Sequence, residues 1–318
     1  MSPILFSIYI DELLNGLGQS AYGCHIGNMF LGTIAYADDI TLLAPTTTSI
    51  SRLLTICSTF AREYNVLFNP AKSKHLSFDQ CTNENTRISF ENSEIESVQW
   101  FKHLGHIIGP GVAKVNMQEY IRAFNVDVNL LMAQFKHIYS TTRYQLFKTY
   151  CMPLYGAQLW DFSGKEVETF FTAWRKAIRH IWKLPYTCHS NLLHIICNDY
   201  NIESQMHIRF LKFFHTLSVS KNNVVQFMAK SVYGGSQSVV CKSLNHIFSK
   251  YCIKKPPNLI QLDCFSIINR IRQTPNCDEQ SLTLGHLIRE LCEIRDGAVH
   301  CMITRHECVE IINEISTT

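Results

Sequence analysis

The pattern of apolar residues changes at Gly109–Pro110–Gly111, and this change limits the folds that the 318-residue chain can adopt. Before this point, short apolar runs are separated by turn-forming residues, which is typical of strands mixed with helices. After it, apolar residues recur at three- and four-residue steps and strand patterns nearly vanish. We therefore expect an α+β segment over residues 1–110, followed by helical segments over 111–215 and 216–318.

The first segment predicts two helices and a small antiparallel sheet. Residues 3–15 form an apolar-rich stretch that suits a helix, and apolar residues recur at helical spacing from Ile50 to Ala61. The threonines at 46–48 offer hydroxyl groups that can cap the second helix. Three further segments predict strand–turn–strand units: 31–44 ("LGTIAYADDITLLA"), 64–78 with a turn at Asn69–Pro70, and 98–108 with a turn at Leu104–Gly105.

The clearest helical pattern covers residues 166–183. Its apolar positions predict one buried stripe, formed by Val167, Phe170, Phe171, Trp174, Ala177, Ile178, Ile181 and Trp182. Its other face carries four basic residues, Arg175, Lys176, Arg179 and Lys183. A capping box of Thr304 and Glu307 predicts a last helix.

Composition excludes some classes of protein. No apolar run reaches the roughly 18–20 residues that cross a bilayer, and the first residues lack the basic start of a secretory signal. The 13 cysteines are scattered without a CxxC pair, which indicates reduced thiols in a cytosolic or nuclear protein that is not secreted. Residues 1–113 are net acidic and 114–215 are net basic. This suits a metal site beside a phosphate-binding surface, although chance variation explains it equally well.

Two adjacent carboxylates, Asp38 and Asp39, lie at the tip of the hairpin predicted over residues 31–44. Like charges repel, so either a cation lies between them or the tip points into water. Mg²⁺ prefers carboxylate oxygens, and two such ions can brace the attacking and leaving oxygens of a phosphoryl transfer. Neighbouring strand residues point to opposite faces, so one aspartate could bind metal while the other supports it.

Several motifs appear in a defined order around this hairpin, and together they resemble the reverse transcriptases of LINE-type (non-LTR) retrotransposons. "SPILFSIY" (2–9) precedes the Y-A-D-D box, "NPAKS" (69–73) follows it, and "FKHLG" (101–105) comes next. "WRKAIRHIWKLPYTCHSNLL" (174–193) is similar to the thumb region of the family. The resemblance covers roughly residues 2–200. It implies a partial polymerase palm over 1–110, a helical thumb, and a C-terminal extension whose role the resemblance does not define.

The resemblance also implies roles for residues near the hairpin. Asp38 and Asp39 would be the catalytic carboxylates that bind Mg²⁺ or Mn²⁺, with Tyr36 and Ala37 near the primer end and the incoming nucleotide. Lys72 would lie near the triphosphate and protonate the pyrophosphate, because the pKa of lysine shifts readily. An exposed lysine at the start of a strand is the alternative for Lys72, and a solvated turn is the alternative for the aspartates.

Further roles concern the nucleic acid, expected as an RNA template with a DNA primer or an RNA–DNA duplex. Leu104 and Gly105 would form the primer-grip hairpin, where glycine lets the backbone come close to the strand. The basic face of helix 166–183 would neutralise phosphates without reading sequence. A merely solvated face is the alternative. The backbone contacts would come from Arg175, Lys176, Arg179 and Lys183.

The family's active site uses a third carboxylate, in an F-x-D motif well before the S-P-x-L-F helix. These 318 residues do not contain it, and Asp11 lies too close to the helix to replace it. We therefore expect a palm-plus-thumb fragment, truncated at its N-terminus and inactive alone as an RNA-directed DNA polymerase. A non-catalytic nucleic-acid-binding or structural remnant is one alternative. A group II intron maturase, which shares the palm, is another.

Two clusters of cysteine and histidine could suggest zinc, but neither contains a paired C-x-x-C. Adjacent Cys and His residues suit tetrahedral zinc poorly. We therefore expect ordinary core and surface residues in both clusters, which are Cys188, His189, His194 and Cys197, and His300, Cys301, His306 and Cys308.

Overall fold

The structure is a computed structural model, and the chain divides into two compact units, Met1–Val112 and Ala113–Thr318. We call them the N-terminal and the C-terminal unit. Among the described residues, no helix combines the length and the apolar character needed to cross a membrane. The structure describes residues 3–78, 87–91, 93–235, 237–274, 279–297, 309 and 312–314.

The described residues of the N-terminal unit form two helices and nine short strands, so the predicted α+β class is confirmed for this part of the chain. The helices are α1 (Pro3–Gln19) and α2 (Thr47–Tyr64). The strands are β1 (His25–Ile26), β2 (Met29–Phe30), β3 (Thr33–Tyr36), β4 (Asp39–Leu42), β5 (Lys74–His75), β6 (Ile88–Phe90), β7 (Ser93–Ser97), β8 (Phe101–His103) and β9 (His106–Ile108).

The strands do not form the single antiparallel sheet that the sequence predicts. They form three separate two-stranded hairpins, β1–β2, β3–β4 and β8–β9, and one three-stranded sheet in the order β5–β7–β6. In that sheet β5 pairs with β7 in the parallel direction. The pairing joins residues about twenty positions apart, and local apolar patterns carry no information on such a partner. The hairpin β1–β2 and strands β6 and β7 were not predicted.

The strand predicted immediately after α2 is wrong. Asn65 adopts a left-handed backbone conformation with φ 53°, and the Val66 N–H donates to the Ala61 carbonyl at 3.0 Å. The chain therefore leaves the helix through a C-terminal cap. Among the described residues, Val66, Leu67 and Phe68 have no partner strand.

The helices of this unit pack their apolar faces together and onto β6 and β7. The hydroxyl of Thr46 caps α2 by accepting from the Ser49 N–H at 3.1 Å, as the run of threonines predicts. Of the apolar residues that predict this helix, Ile50 and Leu54 are half-buried, and the buried ones are Leu53, Cys57, Phe60 and Ala61. The buried cluster consists of Ile10, Leu13, Leu17, Leu53, Cys57, Phe60, Ile88, Phe90 and Ile95.

The described residues of the C-terminal unit form helices joined by loops and include no strand, as predicted. Its helices are α3 (Ala113–Gln134), α4 (Ser140–Tyr150), α5 (Lys165–Ile181), α6 (Leu193–Ile196), α7 (Ile202–Ser218), α8 (Asn223–Tyr233), α9 (Val239–Lys250), α10 (Cys264–Gln273) and α11 (Glu279–Gly297). The predicted helix with its cap at Thr304 and Glu307 lies largely outside the described residues, which include only residues 309 and 312–314 of that region.

Helix α5 forms the centre of the C-terminal unit. All eight residues of its predicted stripe are buried, although the helix ends at Ile181 and Trp182 forms its C-cap. Phe170 packs edge-on against Phe124 of α3 and against Trp160. Glu166 and Glu168 lie in the first turn and Arg179 in the last, an arrangement that complements the helix dipole.

The buried stripe of α5 makes a direct prediction for stability. Trp174 is 3% exposed, so Trp174→Ala removes a large side chain and leaves a cavity that costs roughly 3–5 kcal/mol of unfolding free energy. Lys176→Ala, on the exposed face of the same helix, should stay within about 0.5 kcal/mol of the parent. Urea unfolding followed by far-ultraviolet circular dichroism measures both. Equal stability of the two variants would contradict this packing.

Candidate active site: the hairpin at residues 33–42

The predicted hairpin is confirmed. Strands β3 and β4 pair in register from Thr33 opposite Leu42 to Tyr36 opposite Asp39, so the connection is only two residues long, Ala37 and Asp38. Directly opposed residues in an antiparallel pair share a face. Tyr36 and Asp39 therefore lie side by side at the end of the ladder, with Asp38 in the turn.

The two faces of the hairpin differ. Ile40 and Leu42 are half-buried and pack against the core of the N-terminal unit, which anchors one face. On the other face, Ile34 and Tyr36 are 56% and 63% exposed, and Asp39 is exposed beside them. The hairpin thus presents an open surface that carries an aromatic ring and a carboxylate next to each other.

The turn holds a strained residue. Ala37 has φ 52°, in the left-handed region that favours glycine. A non-glycine residue in that conformation costs on the order of 1–3 kcal/mol and persists only where the surrounding structure enforces it. The strain lies between the aromatic ring of Tyr36 and the carboxylate of Asp38, so it sets the directions in which both side chains leave the tip.

The base of the hairpin is held by backbone hydrogen bonds and by close glycine packing. The Leu43 N–H donates to the Gly32 carbonyl, and the Cys24 N–H donates to the Leu43 carbonyl, both at 2.8 Å. A Cβ on Gly23 would lie 2.7 Å from the Gly32 Cα. Only glycine permits the two backbones to come this close, so the segment leading into the β1–β2 hairpin packs tightly against the base of β3 and β4.

Asp38 and Asp39 are both exposed, and no lysine, arginine or histidine of the described residues lies within 4.0 Å of either carboxylate. Carboxylate oxygens are the ligands that Mg²⁺ prefers, so the donors suit this ion chemically. Within the described part of the chain, no third histidine, cysteine or acidic side chain forms a donor cluster with them. The two carboxylates are therefore suitable oxygen ligands for a divalent cation. Water or phosphate oxygens would have to fill the rest of its coordination shell.

A family likeness covers the segment that contains this hairpin. Residues 1–108 match the family model "Reverse transcriptase (RNA-dependent DNA polymerase)". The match supports a reverse transcriptase domain in the N-terminal unit. Reverse transcriptases act on nucleic acids and generally use divalent metal ions. No curated protein matches the chain.

Lys72 lies within the reverse transcriptase match, in the turn between α2 and β5. Its N–H donates to the Asn69 side-chain oxygen at 3.2 Å, and the Ser73 N–H donates to the Asn69 carbonyl at 3.1 Å. Asparagine commonly makes such local bonds in turns. The Lys72 side chain is exposed, and it makes no ion pair with Asp38 or Asp39 within 4.0 Å. The apo chain therefore does not bring these three charged groups into contact.

Leu104 and Gly105 form the turn of the β8–β9 hairpin, also within the reverse transcriptase match. Their φ values are 47° and 81°, and positive values at both central residues suit the tight turn that the right-handed strand twist favours. His103 and His106 form the last pair of the ladder beside it. The predicted hairpin is confirmed, and both turn residues are exposed at its tip.

The four basic residues predicted to face a nucleic acid differ in their surroundings. The Arg175 guanidinium pairs with Glu168 at 2.6 Å, and Lys176 is exposed without an ion-pair partner among the described residues. The Arg179 guanidinium donates to the Cys188 carbonyl at 2.7 Å and to Ser190. The Arg179 side chain is therefore partly occupied by the loop after α5, which folds back onto this arginine.

Lys183 does not lie on α5, although the sequence pattern places it at the end of that helix. It lies beyond the end of α5 with φ 51°, and its ammonium group is 4.0 Å from the Asp296 carboxylate. The Arg295 guanidinium donates to its carbonyl at 3.2 Å. The helical pattern of the sequence extends through Lys183, whereas the chain turns before it, so Lys183 does not continue the row of basic residues on α5.

The two predicted sets of cysteine and histidine do not supply a donor cluster within the described residues. Cys188, His194 and Cys197 are buried and His189 is exposed, and they do not converge in a group of three donors. Residues 300–308, which carry the other set, lie outside the described residues.

Sequence patterns did not identify one cluster that the structure assembles, Glu203, His207 and His246. Glu203 and His207 are spaced i and i+4, which places them on one side of a helix. That spacing is a weak signal that sequence alone offers. The third member lies on a different helix, and only the fold brings it close.

The contacts of Arg179 predict a structural role. Arg179→Ala removes hydrogen bonds to the carbonyl of the buried residue Cys188 and should cost roughly 1–3 kcal/mol of unfolding free energy. Arg175→Ala removes a partly exposed ion pair and should cost less than about 1 kcal/mol. Chemical denaturation of the two arginine variants compares them directly. A larger loss for Arg175→Ala would refute this assignment.

Proposed function

We propose that the N-terminal unit is the catalytic-hairpin part of an RNA-directed DNA polymerase of the LINE-type (non-LTR) class. One observation carries the proposal: within a segment matched by the reverse transcriptase family, a two-residue turn presents Asp38 and Asp39 at an exposed tip. Carboxylates on a rigid hairpin suit the metal-dependent chemistry of phosphoryl transfer.

The assignment to the non-LTR class rests on the order of sequence motifs. Residues 3–9 of the "SPILFSIY" motif lie in α1 before the hairpin, "NPAKS" follows α2, and "FKHLG" lies in the β8–β9 hairpin. "WRKAIRHIWKLPY" covers the end of α5 and the loop after it. This last motif is more typical of LINE elements than of group II intron maturases, which are the alternative polymerase class.

Each residue at the hairpin has a proposed role. Asp38 and Asp39 hold Mg²⁺ or Mn²⁺, which supplies charge stabilisation for the oxygens of phosphoryl transfer. Tyr36, exposed beside Asp39, offers a ring face to the sugar or base at the primer end. Ala37 keeps the tip small where the nucleotide approaches. Lys72 supplies a compact positive charge for the leaving pyrophosphate.

The remaining proposed contacts concern the nucleic-acid strands. The Leu104–Gly105 turn lets the backbone approach the primer, because glycine has no side chain. We assign residues 1–110 to the palm, 111–215 to the thumb and 216–318 to a C-terminal extension. On α5, Lys176 is the most available phosphate contact, and Arg175 could exchange its ion pair with Glu168 for a phosphate.

Primer extension tests activity. Among the described residues, only two carboxylates lie together at the hairpin, and two-metal catalysis needs a larger set. We therefore expect the 318-residue chain alone to incorporate no dTTP on poly(rA)·oligo(dT) with Mg²⁺ or Mn²⁺. An unrelated active reverse transcriptase in the same buffer provides the positive control. Incorporation that Asp38→Ala abolishes would show that the chain completes its own active site.

A photo-crosslink tests the position of the primer end without requiring activity. Benzoylphenylalanine at position 36 should crosslink the 3′ end of a labelled primer on an RNA template more strongly than the same group at position 150. Tyr150 is a matched control for Tyr36, because the two side chains are similarly exposed, at 67% and 63%. Equal labelling at both positions would contradict the proposed role of the hairpin.

A non-catalytic nucleic-acid-binding remnant is the second candidate. The observation that favours it is the absence of a third donor near Asp38 and Asp39 in the described residues. The two candidates differ in one result: a remnant binds duplex without positioning the primer end. Crosslinking that is uniform along the primer would therefore favour the remnant.

A further inference from the structure

Three side chains with metal-binding atoms meet in the C-terminal unit, far in sequence from the polymerase hairpin. Glu203 lies in the first turn of α7, His207 one turn later, and His246 on α9. One potential ligand atom from each lies within 4.8 Å of the other two. Among the described residues this is the only such group of three.

Two ring nitrogens in this cluster lack partners. His207 is 0% exposed, and its Nε2 is buried without a hydrogen bond. His246 Nε2 is likewise buried without one, since Glu203 Oε1, at 3.9 Å, is too far for a hydrogen bond. Buried polar atoms are normally hydrogen-bonded, so two unsatisfied ring nitrogens in one cluster are an arrangement that a shared ligand would satisfy.

The hydrogen bonds around His207 leave a lone pair on one ring nitrogen, which suits a group that accepts electron pairs. Its Nδ1 lies 3.1 Å from the Tyr251 hydroxyl, which also lies 3.3 Å from the Ser204 hydroxyl. When Nδ1–H donates to Tyr251, the lone pair is on Nε2 and points into the cluster.

We propose that Glu203, His207 and His246 form a zinc site that joins α7 to α9. Two imidazole nitrogens and one carboxylate suit Zn²⁺, whereas Mg²⁺ prefers an all-oxygen set. The proposal is independent of the polymerase assignment.

The geometry leaves room for a fourth ligand. The side chains of His246 and Glu203 are 34% and 28% exposed, so water reaches the cluster from their side. The Lys250 ammonium pairs with Glu203 Oε2 at 2.5 Å and leaves Oε1 toward His246. Zinc–nitrogen bonds of roughly 2.0–2.1 Å require the three donors to move closer together. The half-exposed His246 and Glu203 side chains can rotate to do this, whereas His207 is held by Tyr251.

Zinc titration of the full chain tests the proposal. The purified protein is stripped with EDTA and dialysed, and because nine described cysteines are free and could bind zinc themselves, an exposed cysteine is included among the control variants. Isothermal titration calorimetry should then show about one zinc ion per chain. Co²⁺ should give visible bands typical of a tetrahedral site, and Mg²⁺ should not compete.

Variants separate this site from other zinc ligands. His246→Ala and Glu203→Gln should each weaken zinc binding at least tenfold, and both change half-exposed side chains, so folding is retained and is checked by circular dichroism. His215→Ala, a half-buried histidine on the same helix, and Cys252→Ser, an exposed thiol next to Tyr251, should leave the affinity unchanged.

The outcomes are distinct. Loss of binding in the two ligand variants with retention in the two controls supports the site. Absence of zinc binding in the parent, equal affinity in His246→Ala, or loss in Cys252→Ser overturns it, and a water molecule then satisfies the two ring nitrogens. None of these results involves nucleic acid, so failure here leaves the polymerase proposal untouched.

Discussion

The C-terminal end of α5 is held by two buried guanidinium groups, and the larger unit depends on this arrangement. Arg143 donates to the carbonyls of Ile181, Ile138, Lys136 and Phe135, and it is 0% exposed. Arg295 donates to the Trp182 carbonyl at 2.8 Å. Burying a charge is unfavourable unless its hydrogen bonds are made. Here the carbonyls at the end of α5 and in the connection between α3 and α4 accept them. The two arginines therefore tie α4 and α11 to the last turn of α5.

The hairpin of the N-terminal unit is constrained in a comparable way by its base. Gly23 and Gly32 let two backbones approach, and Ile40 anchors one face in the core. The support below the tip maintains the strained conformation of Ala37. A carboxylate pair on such a tip keeps its direction when a cation or phosphate approaches, which is the property that metal-dependent phosphoryl transfer requires. The reverse transcriptase match covers residues 1–108, and this turn lies within it.

Sequence patterns predicted elements well where the structure is determined locally. The buried stripe of α5, the hairpin at residues 33–42 and the turn at Leu104–Gly105 each follow from periodicity or turn-forming residues. The strand expected at Val66 is absent because a helix cap uses its N–H. The single antiparallel sheet was also wrong, since the parallel partner of Lys74 lies in β7, and short strands carry little information on distant pairing.

The amino-acid sequence by itself determined the periodic faces, the turns and the family likeness, because these depend on neighbouring residues. Tertiary structure decided which polar groups remain available to bind a ligand and which are already hydrogen-bonded within the protein. Arg179 has the spacing of a solvent-facing residue, yet the loop at Cys188 uses its donors. His207 and His246 lie 39 positions apart and meet only because α7 and α9 pack in one unit. Side-chain partners across such distances are set by packing, and no local pattern encodes them.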